Sequence, residues 1–262
     1  MIQKNGVVIR ILEDWEKTAP PKHSNQWKAN RSAMELARAW LPCVSPCFPQ
    51  EVAQVLANHA EFGLIQQWTA EPEAKFSFDG LGGEPRNSDL AVEAVDQYGR
   101  FLIAVEGKAD EPFGDTVGGT LASALERQLK DERSKGITRV QLLVRALFEE
   151  RHAEEPSLNH IRYQLMTACA GAMCEGERRR VGRVVLLIHE FSTELTHDGK
   201  HELNARDLDN FVVRLTRGVV KSVEVGLLYG PFSLPGDPLF SNNTKLFIGK
   251  AARYLRKPAN LS

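Results

Sequence analysis

The chain has 262 residues, 42% of them hydrophobic and 26% charged, enough apolar material for one large domain or for a core with an added subdomain. Its net charge of −1 and pI of about 6.7 exclude a general polycation, so a nucleic acid would have to be met by a local basic patch. No apolar run reaches the roughly 18–20 residues that cross a bilayer, and the acids that follow the short apolar stretch of MIQKNGVVIRILEDWEK do not suit a secretory signal; a cytoplasmic protein without membrane contact is expected.

In chain order, a β-like start at Gly6–Leu12 leads into the polar segment KTAPPKHSNQWKAN and a helix over Arg31–Trp40 with Ser32 as its cap. LPCVSPCFP breaks that helix, and Pro49 suits the first position of another over 49–62, where Val52, Val55, Leu56 and His59 recur at helical spacing. FDGLGGEPRNS (78–88) is a loop leading into SDLAVEAVDQYGRFLIAVEGKAD (88–110), a hairpin of two strands. After the Gly-rich EPFGDTVGG, residues 120–135 predict a charged helix, and Thr138–Phe148 fits a strand or a short helix equally. Leu158–Glu175 predicts a helix with Leu158, Ile161, Leu165, Ala168 and Ala172 on one stripe. VGRVVLLIHEF (181–191) suits a strand buried on both faces, followed by a helix over Ala205–Thr216 and a strand over Val223–Tyr229.

A Pro/Gly loop and a short basic tail close the chain. This order predicts an α/β fold with a mixed central sheet flanked by helices. Residues 1–48 would be helical and extended decoration, 49–232 the core, and 233–262 the loop and tail of one compact unit. The cysteine pairs Cys43–Cys47 and Cys169–Cys174 are spaced more loosely than zinc pairs usually are, and are read as buried or incidental thiols.

The hairpin raises a chemical question, because it carries Asp89, Glu106 and Lys108 among residues that otherwise suit buried strands, and ionised groups are costly to bury without partners. With Tyr98-Gly99 at the tip of a two-residue turn, Gln97 pairs with Arg100, Ala91 with Glu106 and Asp89 with Lys108. Alternation then sends Asp89, Glu106 and Lys108 to one face, the two acids as diagonal neighbours roughly 7–8 Å apart at the backbone. Carboxylates so placed can converge on one hard divalent ion, Mg2+ or Mn2+, of the kind that acidifies water and neutralises a phosphoryl oxygen. A neighbouring lysine can orient or help deprotonate that water. The bland alternative is a cross-strand salt bridge on a solvated face; Leu102 and Ala104 share the charged face and make it semi-buried.

These residues resemble the PD-(D/E)xK nuclease superfamily, with Ser88-Asp89 standing for the first half of its motif and Glu106-Gly107-Lys108 for the second. Ser88 replaces the motif's proline. AVEGKADEPFG, RYQLMTACAGAM and VVLLIHEF together look more closely like a bacterial family of unknown function assigned to that fold, over about residues 15–190. The resemblance implies a restriction-endonuclease-like fold and a Mg2+- or Mn2+-dependent nuclease, acting on DNA in the first instance, with Asp89 and Glu106 on the ion and Lys108 assisting the water. It further implies a helical acid, Glu61 or else Glu51, and the glutamine of IRYQL, Gln164; Arg162 and Tyr163 beside that glutamine are candidate phosphate contacts.

Each of the added residues has a plainer reading: Gln164 as a surface amide, Arg162 and Tyr163 as long side chains at the core's edge, Glu61 as a solvated helical acid. EGERRRVGR (175–183) reads as a helix end whose basic residues the macrodipole favours. A catalytically silent relative that binds nucleic acid or protein, or an enzyme acting on a small phosphorylated molecule, would suit the near-neutral charge; a homodimer is left open.

Overall fold

The centre of the structure, a computed structural model describing residues 1–22, 26–42 and 45–255, is built on the hairpin. Strands β4 (Arg86–Asp96) and β5 (Gly99–Lys108) pair antiparallel, and β3 (Gln67–Phe76) pairs antiparallel with β4. β6 (Arg183–Ser192) then runs parallel to β5, and β8 (Lys245–Tyr254) parallel to β6. β7 (Leu228–Phe232) closes that side, and the hairpin of β1 (Ile2–Lys4) with β2 (Val7–Ile9) closes the other. Among the described residues the strands form one eight-stranded mixed sheet in the order β2-β1-β3-β4-β5-β6-β8-β7. Parallel pairing needs a crossover, and the long β5–β6 connection carries α4 (Val117–Lys130), α5 (Gly136–Leu147) and α6 (Tyr163–Arg178).

Both faces of the sheet are covered. Leu102 and Ala104 of β5 pack with α5, α6 and α7 (Asp198–Leu215) in one core. Phe101, Ile103 and Val105 pack in the other with α1 (Leu12–Thr18), α2 (Ser32–Trp40) and α3 (Gln50–Ala57). All ten residues of β6 are buried, as its unbroken apolar run requires. In 138–148 the helix wins, because Val140, Leu143, Ala146 and Leu147 bury one face at helical spacing.

Three strands lie where none is expected. β1 and β3 lie in stretches with no assigned element, and β8 in what reads as a loop and basic tail; residues 256–262 of that tail lie outside the described residues. β8 is an inner strand between β6 and β7, with Leu246 and Ile248 in one core and Phe247 and Ala251 in the other. The Gly6–Leu12 strand is instead β2 plus the first residue of α1, and the Val223–Tyr229 strand begins later, at Leu228. Cys43 lies outside the described residues; Cys47, Cys169 and Cys174 are free thiols.

Candidate active site

The hairpin register differs from the expected one by two residues. Asp96 pairs with Gly99, Ala91 with Ala104 and Leu90 with Val105, so the turn tip is Gln97-Tyr98. The cause is local: Asp96 Oδ1 accepts the Tyr98 N–H at 2.8 Å, and Gly99, at φ +108, follows the tip. Continued by one step this register sets Asp89 against Glu106, but the ladder stops at Leu90–Val105. Beyond it, the Gly107 N–H donates to Asp89 Oδ2 at 2.8 Å.

Asp89 therefore does not share a single cleft face with the other two. Glu73 of β3, at φ +47, marks a reversal of the sheet's alternation. Ala70 before it lies in the α1–α3 core, whereas Ala74 and Phe76 after it lie in the α5–α7 core, although all three positions have the same parity. In β4, Leu90 belongs to the α1–α3 core, whereas Arg86 has its Cδ beside Gly171 of α6. Asp89 falls at this reversal and lines a small cavity of ≈ 50 Å³ with Glu73, Leu36, Trp15 and Trp27, on the α1–α2 side. A left-handed glutamate costs on the order of 1–3 kcal/mol and persists only where its surroundings impose it.

On the other face, the Lys108 and Glu106 heads meet at α6. Gln164 Nε2 donates to Glu106 Oε2 at 3.1 Å, and Gln164 Oε1 accepts from Lys108 Nζ at 3.2 Å. The amide thus spans the two ends of the Glu-Gly-Lys motif. Glu106 is 1% exposed and Lys108 6%, and the Lys108 ammonium stands 4.9 Å from the centre of the Phe113 ring. Glu106 is also paired with Arg86, a partner the motif gives no hint of.

The electrostatics single out two acids. Burial, and then repulsion from Glu106, raise the Asp89 carboxyl to about 7, with Lys108 and Arg86 opposing. Burial and the Asp89 charge raise Glu73 to about 8, although Asn87 Nδ2 donates to its Oε2 at 3.1 Å. Sequence alone gives no sign of Glu73, because its proximity to Asp89 depends on the pairing of β3 with β4. Three acids, Glu73, Asp89 and Glu106, crowd this end of β5, with Arg86, Lys108 and Lys4 beside them. A hard divalent ion accepts one or two carboxylates and keeps water for the rest, so two of these acids would have to supply its protein ligands. Among the described residues no group of three His, Cys, Asp or Glu side chains is gathered tightly enough to cage a metal.

These shifts set a sign for stability. An acid whose folded pKa is raised holds a proton that the unfolded chain releases near pH 4, so its contribution to stability falls as pH rises from about 4 through about 7–8. Asp89→Asn keeps an acceptor for Gly107 and removes the charge. Its melting temperature is expected to exceed that of the wild type by a few degrees at pH 8 and to match it near pH 4; thermal melts at the two pH values check this.

The remaining expected residues lie elsewhere or in other roles. Glu61 is not brought to this group: it pairs with Lys245 at 2.8 Å, and its carbonyl accepts from Arg183 at the opposite end of β6. Glu51 pairs with Arg253 at 2.6 Å and with His189 at 2.9 Å. Although burial pushes Glu51 up, hydrogen bonds from His189 and Arg253 hold it at about 2. Arg162 is spent on Asp207 at 2.7 Å and the Gly114 carbonyl at 2.7 Å. Tyr163 lines a larger cavity of ≈ 410 Å³ that Arg86 also lines. Of the arginines in EGERRRVGR, Arg178 and Arg179 pair with Glu175 and Arg183 with Asp96, so most of that charge is neutralised.

The family model for the domain of unknown function DUF6946 matches residues 9–253, nearly the whole chain. No curated protein and no solved structure matches it.

Proposed function

The chain belongs to the DUF6946 family, and we propose that it is a divalent-ion-dependent phosphodiesterase of the PD-(D/E)xK kind that cleaves nucleic acid. The observation that carries the reading is the Gln164 amide bridging Glu106 and Lys108 beside the mutually repelling Asp89. The element order adds support: helices, an antiparallel β3–β4–β5 meander, a helical crossover and a parallel β6 suit a restriction-endonuclease-like core.

In this reading Glu106 would hold a Mg2+ or Mn2+ ion, with Asp89, near enough for the Glu106 charge to raise its carboxyl, as the second ligand; the ion would neutralise a phosphoryl oxygen and acidify water. Lys108 supplies a fixed positive charge where the transition state gains negative charge, in a site that excludes bulk water. Gln164 keeps that ammonium and the Glu106 carboxylate in register, and the Phe113 ring faces the ammonium at 4.9 Å. Purified protein assayed on single- and double-stranded DNA and RNA with Mn2+ tests the reading; absence of cleavage on all of them would end it.

A second reading, a catalytically silent domain of the same fold that binds nucleic acid or protein, is favoured by the Arg86–Glu106 pair, which already supplies one oxygen of Glu106 with a cation. Thermal melts separate the two. An ion that binds only the folded state at tenfold excess over Kd should add about 1.4 kcal/mol, a rise of about 2–4 °C for a chain of this size. Glu106→Gln should abolish the rise. A wild type unmoved by Mn2+ favours the silent domain.

A further inference from the structure

The cavity of ≈ 410 Å³ lies between the end of β3, the 77–85 loop, α5 and α6. Its volume falls in the roughly 300–1,000 Å³ range of small-ligand sites, too small for a duplex and sufficient for one flat heterocycle. It adjoins the candidate active site through Arg86, which lines the cavity and pairs with Glu106.

The charges in its wall argue against an anion. Arg86 is matched by Glu106, and Arg139 by Asp79 through bonds of 2.6 and 3.2 Å, with the Gly82 carbonyl taking a further Arg139 N–H at 2.6 Å. Glu84 adds another acid, matched by Lys22 at 3.7 Å. A phosphate placed here would find each cation of the wall already matched by an acid. A neutral, planar, hydrogen-bonding ligand suits the lining better. Phe78 and Tyr163 offer aromatic surface, and Thr167 a hydroxyl. Arg86, whose side chain is only 10% exposed, has its Nε donor buried without a partner at the cavity wall; buried polar atoms ordinarily have partners, and a base edge carries acceptors.

We propose that this cavity receives a single unpaired nucleobase, of a nucleotide whose phosphate lies toward Glu106 and Lys108. The inference rests on the phosphodiesterase reading and narrows it: the substrate is single-stranded, or has one base drawn out of its stack, since a paired and stacked base cannot enter such a pocket.

The test is binding of the full chain in EDTA, where cleavage is suppressed, to a short single strand of deoxyadenosine and to a strand of the same length made of abasic residues. Base stacking on aromatic side chains is worth about 1–3 kcal/mol, so the base-bearing strand should bind about 5- to 150-fold tighter. Tyr163→Ala should erase most of that preference and Tyr163→Phe keep it. Equal affinity for the two strands, or no binding of either, overturns the proposal without recourse to any variant. Adenosine monophosphate as competitor separates the sources: displacement of the strand by the mononucleotide assigns the pocket to the base itself, and failure to displace at high excess counts against it. Cleavage with Mn2+ is read separately. A chain that cleaves but does not prefer bases loses only the pocket, and one that prefers bases but never cleaves loses only the phosphodiesterase reading.

Discussion

Exchange of Lys108 for Met is expected to lower divalent-ion-dependent cleavage of nucleic acid by about 10²–10³-fold, the usual cost of removing one preorganised stabilising group, while leaving the protein folded. Methionine keeps an unbranched stem of similar reach over Phe113, so the packing beneath the ammonium survives. What is lost is the positive charge and its bond to Gln164 Oε1 at 3.2 Å. A charged hydrogen bond is worth about 1.5–3 kcal/mol, but desolvating an ammonium that is only 6% exposed already consumes much of that gain. The melting temperature should therefore move little. Because the charge acts where negative charge develops in the transition state, kcat should carry the loss and KM should stay near its wild-type value. A rise in KM at unchanged kcat would make Lys108 a substrate contact only. Retention of full activity would remove it from the chemistry altogether.

The chemistry of the hairpin was legible because its residue types are out of place for buried strands. Glu106 and Lys108, two residues apart on β5, had to share a face, and they do, with Gln164 between them. The position of Asp89 was less legible, for two reasons. An aspartate side chain that caps its own turn moved the tip from Tyr98-Gly99 to Gln97-Tyr98. The left-handed conformation of Glu73 then turned over the alternation of β3, and β4 follows it across the sheet. Neither is a property of the β4–β5 spacing. β3 is masked by Pro72 and by Glu71, Glu73 and Lys75, charges that look like a loop until Lys4 is seen to donate to Glu71 at 2.9 Å. β8 is masked by its lysines and arginine. Lys250, 8% exposed, is neutralised by Glu190 at 2.8 Å, and Arg253 by Glu51 at 2.6 Å. The apolar run Leu246–Ile248 was the available signal for that strand.

Replacing Asp96 by Ala is expected to destabilise the fold by about 3–5 kcal/mol, because it breaks a buried pair by deleting one partner. For a chain of this size each kcal/mol corresponds to about 2–4 °C, so the melting temperature should fall by roughly 6 °C or more. Asp96 is fully buried at the side chain and Arg183 is 8% exposed. The guanidinium meets the carboxylate as a fork, with Nη1 to Oδ2 at 2.9 Å and Nη2 to Oδ1 at 2.7 Å, and stands 4.9 Å from the ring centres of Phe62 and Phe101. The same carboxylate accepts the Gly63 N–H at 3.0 Å and the Tyr98 N–H at 2.8 Å. Alanine thus strands a buried charge and two amides, in the turn that sets the hairpin register. Asp96→Asn keeps an acceptor and should cost less.

The pH dependence identifies the charge as the source. Burial alone would push the Asp96 carboxyl up, but Arg183 and the two backbone donors hold it below the ordinary carboxylate value. With the folded pKa depressed, the unfolded chain binds the proton first as pH falls, so this contribution is complete above about pH 5 and fades on acidification through pH 4 and below. The gap in stability between wild type and Asp96→Ala should accordingly be widest at pH 7 and narrow at pH 3.5, as urea denaturation at the two pH values would record. A gap of constant width would assign the loss to packing and to the orphaned amides, and not to the ion pair.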